Sequence, residues 1–354
     1  MNKRKPNFEA LRIVAMLMVI TLHYCFKSYI TLPVWEDGYA TAKNICLWLL
    51  PSFSMCAVNV YVLISGYFLV ESEFKLRRLV DLFIQILEYS IVIAAILLIT
   101  GVSDINNMHL YEWFELVFPI GTEGYWFMTA YVVMFILSPF LAAGAKSMKK
   151  EQLRILIVIL VFLESFEKTI FPFAKLPIDH MGYDCVWFIV LFLIAAYIRL
   201  YGISLFDNSK VFPWIVYILS SLIIWATQVG FGRCYMDTGK GLFLGLAERS
   251  TDYNFLFCLT ASLGLFFGFK NLEFNETSRL AELCRKLGPM TLGVYLLHEH
   301  FLVRYRWGIW LGVNPNGTVL DILLRLLVSL IVVFVAGIGV EALRLAVHRL
   351  VKKN

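Results

Sequence analysis

The chain has 354 residues, of which 60% are apolar and 16% charged, against roughly 45–50% and about 25% in ordinary soluble domains. A water-soluble globule of this size needs more polar surface, and a disordered chain carries far less apolar material. The mean hydropathy of +0.74 instead indicates a polytopic membrane protein.

Long apolar stretches recur along the whole chain and predict about ten transmembrane helices, because one span takes about 20 residues. The predicted spans cover residues 9–27, 45–70, 79–101, 124–143, 153–170, 184–201, 212–230, 253–269, 289–303 and 318–343. They lack the alternation of a β-barrel, so the predicted fold class is all-α. Together they fill residues 1–354 as a single membrane domain, with no appended soluble domain expected.

Lysine and arginine are concentrated on one side of these spans. If the N-terminus is cytoplasmic, the inner segments carry 20 of these residues and the outer segments carry 9. The outer segment 102–123 contains four acidic residues and no basic one. Because cytoplasmic loops are enriched in positive charge, we expect both termini in the cytoplasm and an even number of spans. The same loops account for the net charge of +5, so no nucleic-acid partner is expected.

The first predicted span holds two ionisable side chains, Arg12 and His23, each of which costs about 2.5–3.5 kcal/mol inside a bilayer. They are eleven positions apart in the sequence, which in a helix separates them by roughly 16 Å along the axis and returns to nearly the same face. Arginine offers a planar fork of donors to phosphate or carboxylate, and histidine accepts a hydroxyl proton near neutral pH. The pair predicts an anionic donor at the cytoplasmic end and a base deeper in the membrane. Lipid contact and helix packing would explain each residue singly.

Polar residues in the second predicted span have two readings each. Asn59 either orients an imidazole or bonds a neighbouring helix, and an interhelical bond is the simpler account. Ser65, followed by Gly66 and Tyr67, either supplies a hydroxyl or permits a close helix approach. Trp126, at the start of the predicted span 124–143, fits the aromatic belt of a membrane interface.

His298, Glu299 and His300 form a cluster of the kind that ligates metals. In a helix, positions two apart point to different faces, so the two histidines are a poor chelate and we expect no metal. The chain also lacks a phosphate-binding glycine loop, a dinucleotide-binding motif and a nucleophile-elbow serine motif. Their absence disfavours ATP-driven transport and soluble-hydrolase chemistry.

Several of these motifs occur together in the acyltransferase-3 family of membrane proteins, which this chain resembles. Arg12 and His23 have ten residues between them, as in the family's Arg-x10-His signature. The apolar run 59–69 contains Ser65–Tyr67, similar to the family's Ser-Gly-aromatic element, and basic residues follow it. Further similar stretches lie at Gly124–Met128, Ser138–Pro139 and Val294–His298.

The resemblance implies transfer of an acyl group, usually acetyl, from acyl-CoA to a hydroxyl of a cell-surface glycan. By position, His23 is the implied catalytic residue. Arg12, Arg77 and Arg78 are the implied ligands of the CoA phosphates. The implied lining of the acceptor site consists of Asn59, Ser65, Tyr67, Trp126 and His298.

The resemblance also implies a setting, which is the plasma membrane of a bacterium. The acceptor there is a surface polysaccharide or a lipid-linked glycan precursor. Larger family members append an extracytoplasmic transferase domain, so this chain either acylates the acceptor itself or passes the acyl group to a separate transferase. The residues do not separate a His23 general base from a His23 acyl relay.

Two other functions fit a polytopic protein of this composition. A transporter or flippase for a lipid-linked or anionic glycan would use Arg12 as its anion site. The chain shows no internal repeat, and such transporters commonly have paired broken helices. A glycan polymerase normally has larger outer loops than the roughly 20-residue segments predicted here.

Overall fold

The structure, a computed structural model, describes residues 4–122, 124–173 and 180–351. These residues form helices, turns and loops, with no β-strand among them, which confirms the all-α prediction for this part of the chain. Five charged residues used to predict the orientation lie outside the described residues, namely Lys3, Glu123, Lys175, Lys352 and Lys353.

The helices follow one another with short connections. The first nine are α1 Pro6–Lys27, α2 Ala42–Leu47, α3 Leu49–Ser54, α4 Ala57–Leu69, α5 Leu76–Ile99, α6 Leu110–Val117, α7 Trp126–Ser147, α8 Lys150–Val161 and α9 Glu167–Ile170. The remaining nine are α10 Cys185–Tyr201, α11 Ser204–Asp207, α12 Phe212–Thr238, α13 Gly241–Arg249, α14 Leu256–Lys270, α15 Arg279–Leu287, α16 Thr291–His298, α17 Trp307–Trp310 and α18 Val319–Val351.

Six of the described helical segments are long and apolar enough to cross a membrane: α1, the run α2–α4, α5, α7, α12 and α18. Two shorter apolar helices, α10 and α14, coincide with two further predicted spans. The predicted span 153–170 is helical but contains a π-helical turn at Phe162–Phe166. The chain therefore has the helices of a multi-pass membrane protein, and the count of ten spans stays a prediction.

The predicted span 289–303 takes a different form. Its helix, α16, ends at His298, and the following residues form hydrogen-bonded turns up to Trp307. The charged and imidazole side chains of Glu299 and His300 account for the early end, because they bond to groups outside the helix. His298 and Glu299 consequently lie at a helix end rather than in the middle of a span.

One compact unit of the chain comprises residues 1–30, 75–129 and 274–354. In it, α16 packs against α1, α5 and α18. Two glycines allow a close approach, because a Cβ at Gly337 of α18 would lie 2.5 Å from the Val294 Cα, and one at Gly293 of α16 would lie 2.7 Å from the Glu341 Cβ. Small residues at a helix crossing are typical of membrane proteins. The crossing fixes where α16 presents His298.

The second compact unit comprises residues 31–74 and 130–273. Its α4 packs against α10 and α14, and α12 packs against α14. A Cβ at Gly66 of α4 would lie 2.9 Å from the Ala195 Cβ of α10, so Gly66 serves the close approach predicted for the Ser-Gly-Tyr element. Helix α10 starts at a cap in which Asp184 accepts hydrogen bonds from the backbone of Val186 and Trp187.

Candidate functional site

The candidate site is built at the C-terminal end of α1. Pro6 and Glu9 in the first turn favour the start of this helix, and its last turns carry His23 and Lys27. These two residues are four positions apart and therefore lie on the same helix face. Their side chains are 17% and 16% exposed. The end of α1 thus directs an imidazole and an ammonium group to one place.

Helix α16 brings a second histidine to the first. His23 Nδ1 lies 3.0 Å from His298 Nε2, and the ring centroids are 5.1 Å apart. His298 Nδ1 lies 2.6 Å from the Val294 carbonyl oxygen. Because a carbonyl oxygen only accepts, His298 Nδ1 must carry the hydrogen, so Nε2 of the neutral ring is an acceptor. His23 Nδ1 therefore donates, and the lone pair of neutral His23 is on Nε2.

Glu299 completes the hydrogen-bonding arrangement around His23. One of its carboxylate oxygens lies 3.1 Å from His23 Nδ1 and accepts a hydrogen bond from Lys27. The residue is 4% exposed, so both contacts are made away from solvent, where electrostatic interactions are strong. A carboxylate at Nδ1 fixes the tautomer and stabilises the imidazolium that forms when Nε2 takes a proton.

Aromatic side chains cover α16 next to this cluster. Tyr125 donates a hydrogen bond to the Leu296 carbonyl at 3.0 Å, and its ring lies 6.0 Å from that of Tyr295. The Phe127 ring lies 5.7 Å from Tyr295. Trp126 itself is partly exposed and packs edge-on against Phe127 at 6.0 Å. The neighbours of Trp126 thus contact α16 directly.

The same three groups have the composition of a metal site. Ligand atoms of His23, His298 and Glu299 all lie within 4.8 Å of one another. Lys27, however, donates to the Glu299 oxygen that a metal would need, and the Arg304 guanidinium lies 4.0 Å from the other Glu299 oxygen. Two cations beside the carboxylate oppose a bound metal ion, so the absence of a metal remains our prediction.

The remaining histidine of the sequence cluster, His300, turns away from this arrangement. Its Nε2 lies 3.0 Å from the Ser90 carbonyl oxygen, and its Nδ1 accepts the backbone N–H of Leu302 at 3.2 Å. Both ring nitrogens are therefore occupied by the backbone of the same unit. His300 holds the turn after α16 in place.

The predicted phosphate-binding arginines lie elsewhere in this unit. Arg12 is near the start of α1, where its guanidinium is 3.5 Å from buried Glu9, which also accepts from Arg4 at 3.2 Å. Arg77 and Arg78 are exposed in the first turn of α5, and Arg77 lies 3.9 Å from Asp81. The roughly 16 Å expected between Arg12 and His23 is kept, because both lie on the one continuous helix α1.

Three predicted lining residues belong to the second unit and bond within it. Asn59 is fully buried and donates to the Tyr253 carbonyl at 2.8 Å while accepting from Trp187 at 3.0 Å. Ser65 donates to the Tyr61 carbonyl of its own helix at 2.9 Å. The Tyr67 hydroxyl accepts from Arg199 at 3.2 Å. The contacts of Asn59 are the interhelical bonds considered from the sequence.

Sequence reasoning did not assign Lys27 or Arg304 to the site, and it considered Glu299 only as part of the cluster His298–His300 that resembles a metal site. The position of Lys27 could have been predicted, since it follows His23 by four residues and therefore lies on the same helix face. Glu299 is adjacent to His298, but its contact with His23 spans 276 positions. Arg304 reaches the cluster through a turn that no local pattern specifies.

Comparison with known proteins gives one positive result. The acyltransferase-3 family model, described as an acyltransferase domain, matches residues 5–339, nearly the whole chain. No curated protein and no solved structure matches the chain.

Proposed function

This chain belongs to the acyltransferase-3 family, a membership that supports a membrane acyltransferase, and on that premise we propose its reaction. The proposed activity moves an acyl group, with acetyl as the first candidate, from cytosolic acyl-CoA to a hydroxyl of a cell-surface polysaccharide or glycan precursor. The single observation that carries the proposal is the hydrogen-bonded His23–His298–Glu299 arrangement, which leaves His23 Nε2 as a lone-pair base.

The proposed chemistry uses this lone pair directly. The acceptor hydroxyl gives its proton to His23 Nε2 while its oxygen attacks the carbonyl carbon of the thioester. The tetrahedral intermediate then expels the CoA thiolate, which recovers the proton from the imidazolium. Glu299 stabilises the imidazolium formed between the two steps. An acyl-histidine relay on the same nitrogen is the other route, in which His23 Nε2 attacks the thioester first.

The donor side of the proposal rests on positive charge at the opposite end of α1. Arg12 is 23% exposed and lies 3.5 Å from Glu9, and its planar fork of donors suits a phosphate group of CoA. Arg77 and Arg78 are exposed at the start of α5 and add to the cationic surface proposed for CoA. We propose that this end of α1 is cytoplasmic, in agreement with the basic bias of the inner segments.

The experiment that tests the proposal follows the acetyl group and the CoA part of the donor separately. Inside-out vesicles of a bacterial host expressing the chain receive acetyl-CoA labelled in the acetyl group, or in separate samples labelled in CoA. We expect the acetyl label in extracted glycan and the CoA label in the medium, both dependent on expression of the chain. A transporter or flippase would instead move glycan without acyl-CoA dependence, and glycan free of acetyl label would overturn the proposal.

A further inference from the structure

Arg304 lies beside the site. The contacts of its guanidinium with carboxylates are longer than hydrogen bonds. Its backbone N–H donates to the His300 carbonyl at 2.8 Å, which fixes the residue in the turn after α16. The terminal nitrogens lie 4.0 Å from Glu299 and 3.8 Å from Glu115, and these distances exceed those of hydrogen bonds. Its Nε is buried with no hydrogen-bond partner among the described residues.

An arginine in this state is costly unless a ligand uses it. A guanidinium has five N–H donors, and a buried donor that forms no hydrogen bond is destabilising. The Arg304 side chain is 26% exposed, and its guanidinium lies over the Tyr305 ring at 5.6 Å. The guanidinium therefore lies beside Glu299, which in turn contacts His23 at 3.1 Å.

The charges around Arg304 decide what kind of ligand fits. The cations Lys27 and Arg304 face the carboxylates Glu299 and Glu115, so the four groups carry no net formal charge when all are ionised. A permanently charged anion would gain little electrostatic binding energy from a cluster without net charge. An oxygen that becomes negative only during the reaction would instead meet the N–H donors of Arg304 already in place.

We propose that Arg304 donates hydrogen bonds to the oxyanion that forms when the acceptor hydroxyl attacks the acyl carbonyl at His23. This inference rests on the acyl transfer proposed above. When the new C–O bond forms, the carbonyl π electrons move to the oxygen, and the Arg304 N–H groups stabilise that charge. When the C–S bond breaks and CoA thiolate leaves, the carbonyl forms again and the charge on its oxygen disappears.

The test compares Arg304→Gln and Arg304→Lys with the wild type in the full-length chain. Two reactions are followed over a range of acetyl-CoA concentrations up to saturation: transfer of labelled acetyl to the endogenous glycan, and hydrolysis, in which water is the acceptor. We expect Arg304→Gln to lower kcat for both reactions by about 100-fold or more with KM for acetyl-CoA unchanged. Arg304→Lys, which keeps one cationic donor, should recover part of that loss.

Arg325→Gln is the matched control, because the Arg325 side chain is 41% exposed and pairs with Asp321 of its own helix, α18, so the variant should keep the wild-type rate. Equal thermal unfolding temperatures in detergent show that the variants fold. Wild-type kcat in Arg304→Gln would overturn the assignment, and so would loss of glycan transfer with intact hydrolysis, which marks an acceptor-binding residue. No acyl-CoA-dependent transfer in the wild type would instead overturn the proposed function itself.

Discussion

At the scale of single residues, the proposed chemistry depends on which nitrogen of His23 carries the proton. The Val294 carbonyl fixes the His298 tautomer, and His298 with Glu299 then fixes that of His23. Each step uses only the rule that a carbonyl or carboxylate oxygen accepts hydrogen bonds. The chemistry proposed for His23 Nε2 therefore follows from contacts made by its other nitrogen.

The substitution Glu299→Gln tests the carboxylate in this arrangement. Glutamine keeps the shape but removes the charge that stabilises the imidazolium, and it deprives Lys27 of its ion-pair partner. We expect kcat for label transfer to fall by about 100-fold or more. Glu273→Gln is the control, because Glu273 is exposed and pairs with Lys210 at the surface. A Glu299→Gln variant as fast as this control would contradict the role of Glu299.

At the scale of helices, the site depends on how closely α16 and α18 pack. A Cβ at Gly337 would lie 2.5 Å from the Val294 Cα, whereas a Cβ at Gly339 would meet nothing within 4 Å. Val294 also supplies the carbonyl that fixes His298. Backbone atoms cannot move away as a flexible side chain can, so the crossing tolerates only glycine at Gly337.

Alanine substitutions at Gly337 and Gly339, two positions apart in α18, test this crossing. Gly337→Ala should destabilise the protein by about 1–3 kcal/mol through overpacking and reduce transfer, because α16 carries His298. Gly339→Ala should leave both unchanged or raise stability slightly through lower entropy of the unfolded chain. Thermal unfolding in detergent and initial transfer rates measure the two effects. Equal unfolding temperatures for the two variants would contradict the close crossing.

The elements that the sequence predicted well are those with a long local pattern. Helix α1 is an unbroken apolar run with Arg12 and His23 on it, and the spacing of those two residues is a property of the helix alone. The predicted span 289–303 was wrong in its second half, because Glu299 and His300 end the helix by bonding outside it. The contact between His23 and His298 joins residues 275 positions apart, and hydropathy carries no information about such pairs.

At the scale of the whole molecule, the orientation across the membrane decides which substrate can reach which end of α1. The described chain has six segments able to cross a membrane, and the basic bias predicts cytoplasmic termini. His23 then lies toward the outer end of α1 and Arg12 toward the inner end. This placement suits a cytosolic donor and an acceptor approached from outside.

Cysteine labelling tests that orientation without altering the chain. Cys46 is exposed near the start of the segment Ala42–Leu69, which we expect on the outer side, whereas Cys25 is buried. A membrane-impermeant maleimide applied to spheroplasts should modify Cys46 and leave Cys25 unmodified, as peptide mass analysis would show. Modification of Cys46 only after the membrane is permeabilised would reverse the predicted orientation.

His23 is proposed to perform the proton transfer of an acyl-CoA-dependent reaction. Its role is tested by the rate of acetyl transfer from labelled acetyl-CoA to glycan in inside-out vesicles carrying His23→Ala. His180→Ala is the matched control, since His180 is an exposed histidine of the second unit. We predict that transfer falls to background in His23→Ala and stays at the wild-type rate in the control. Wild-type transfer in a folded His23→Ala protein would contradict the claim.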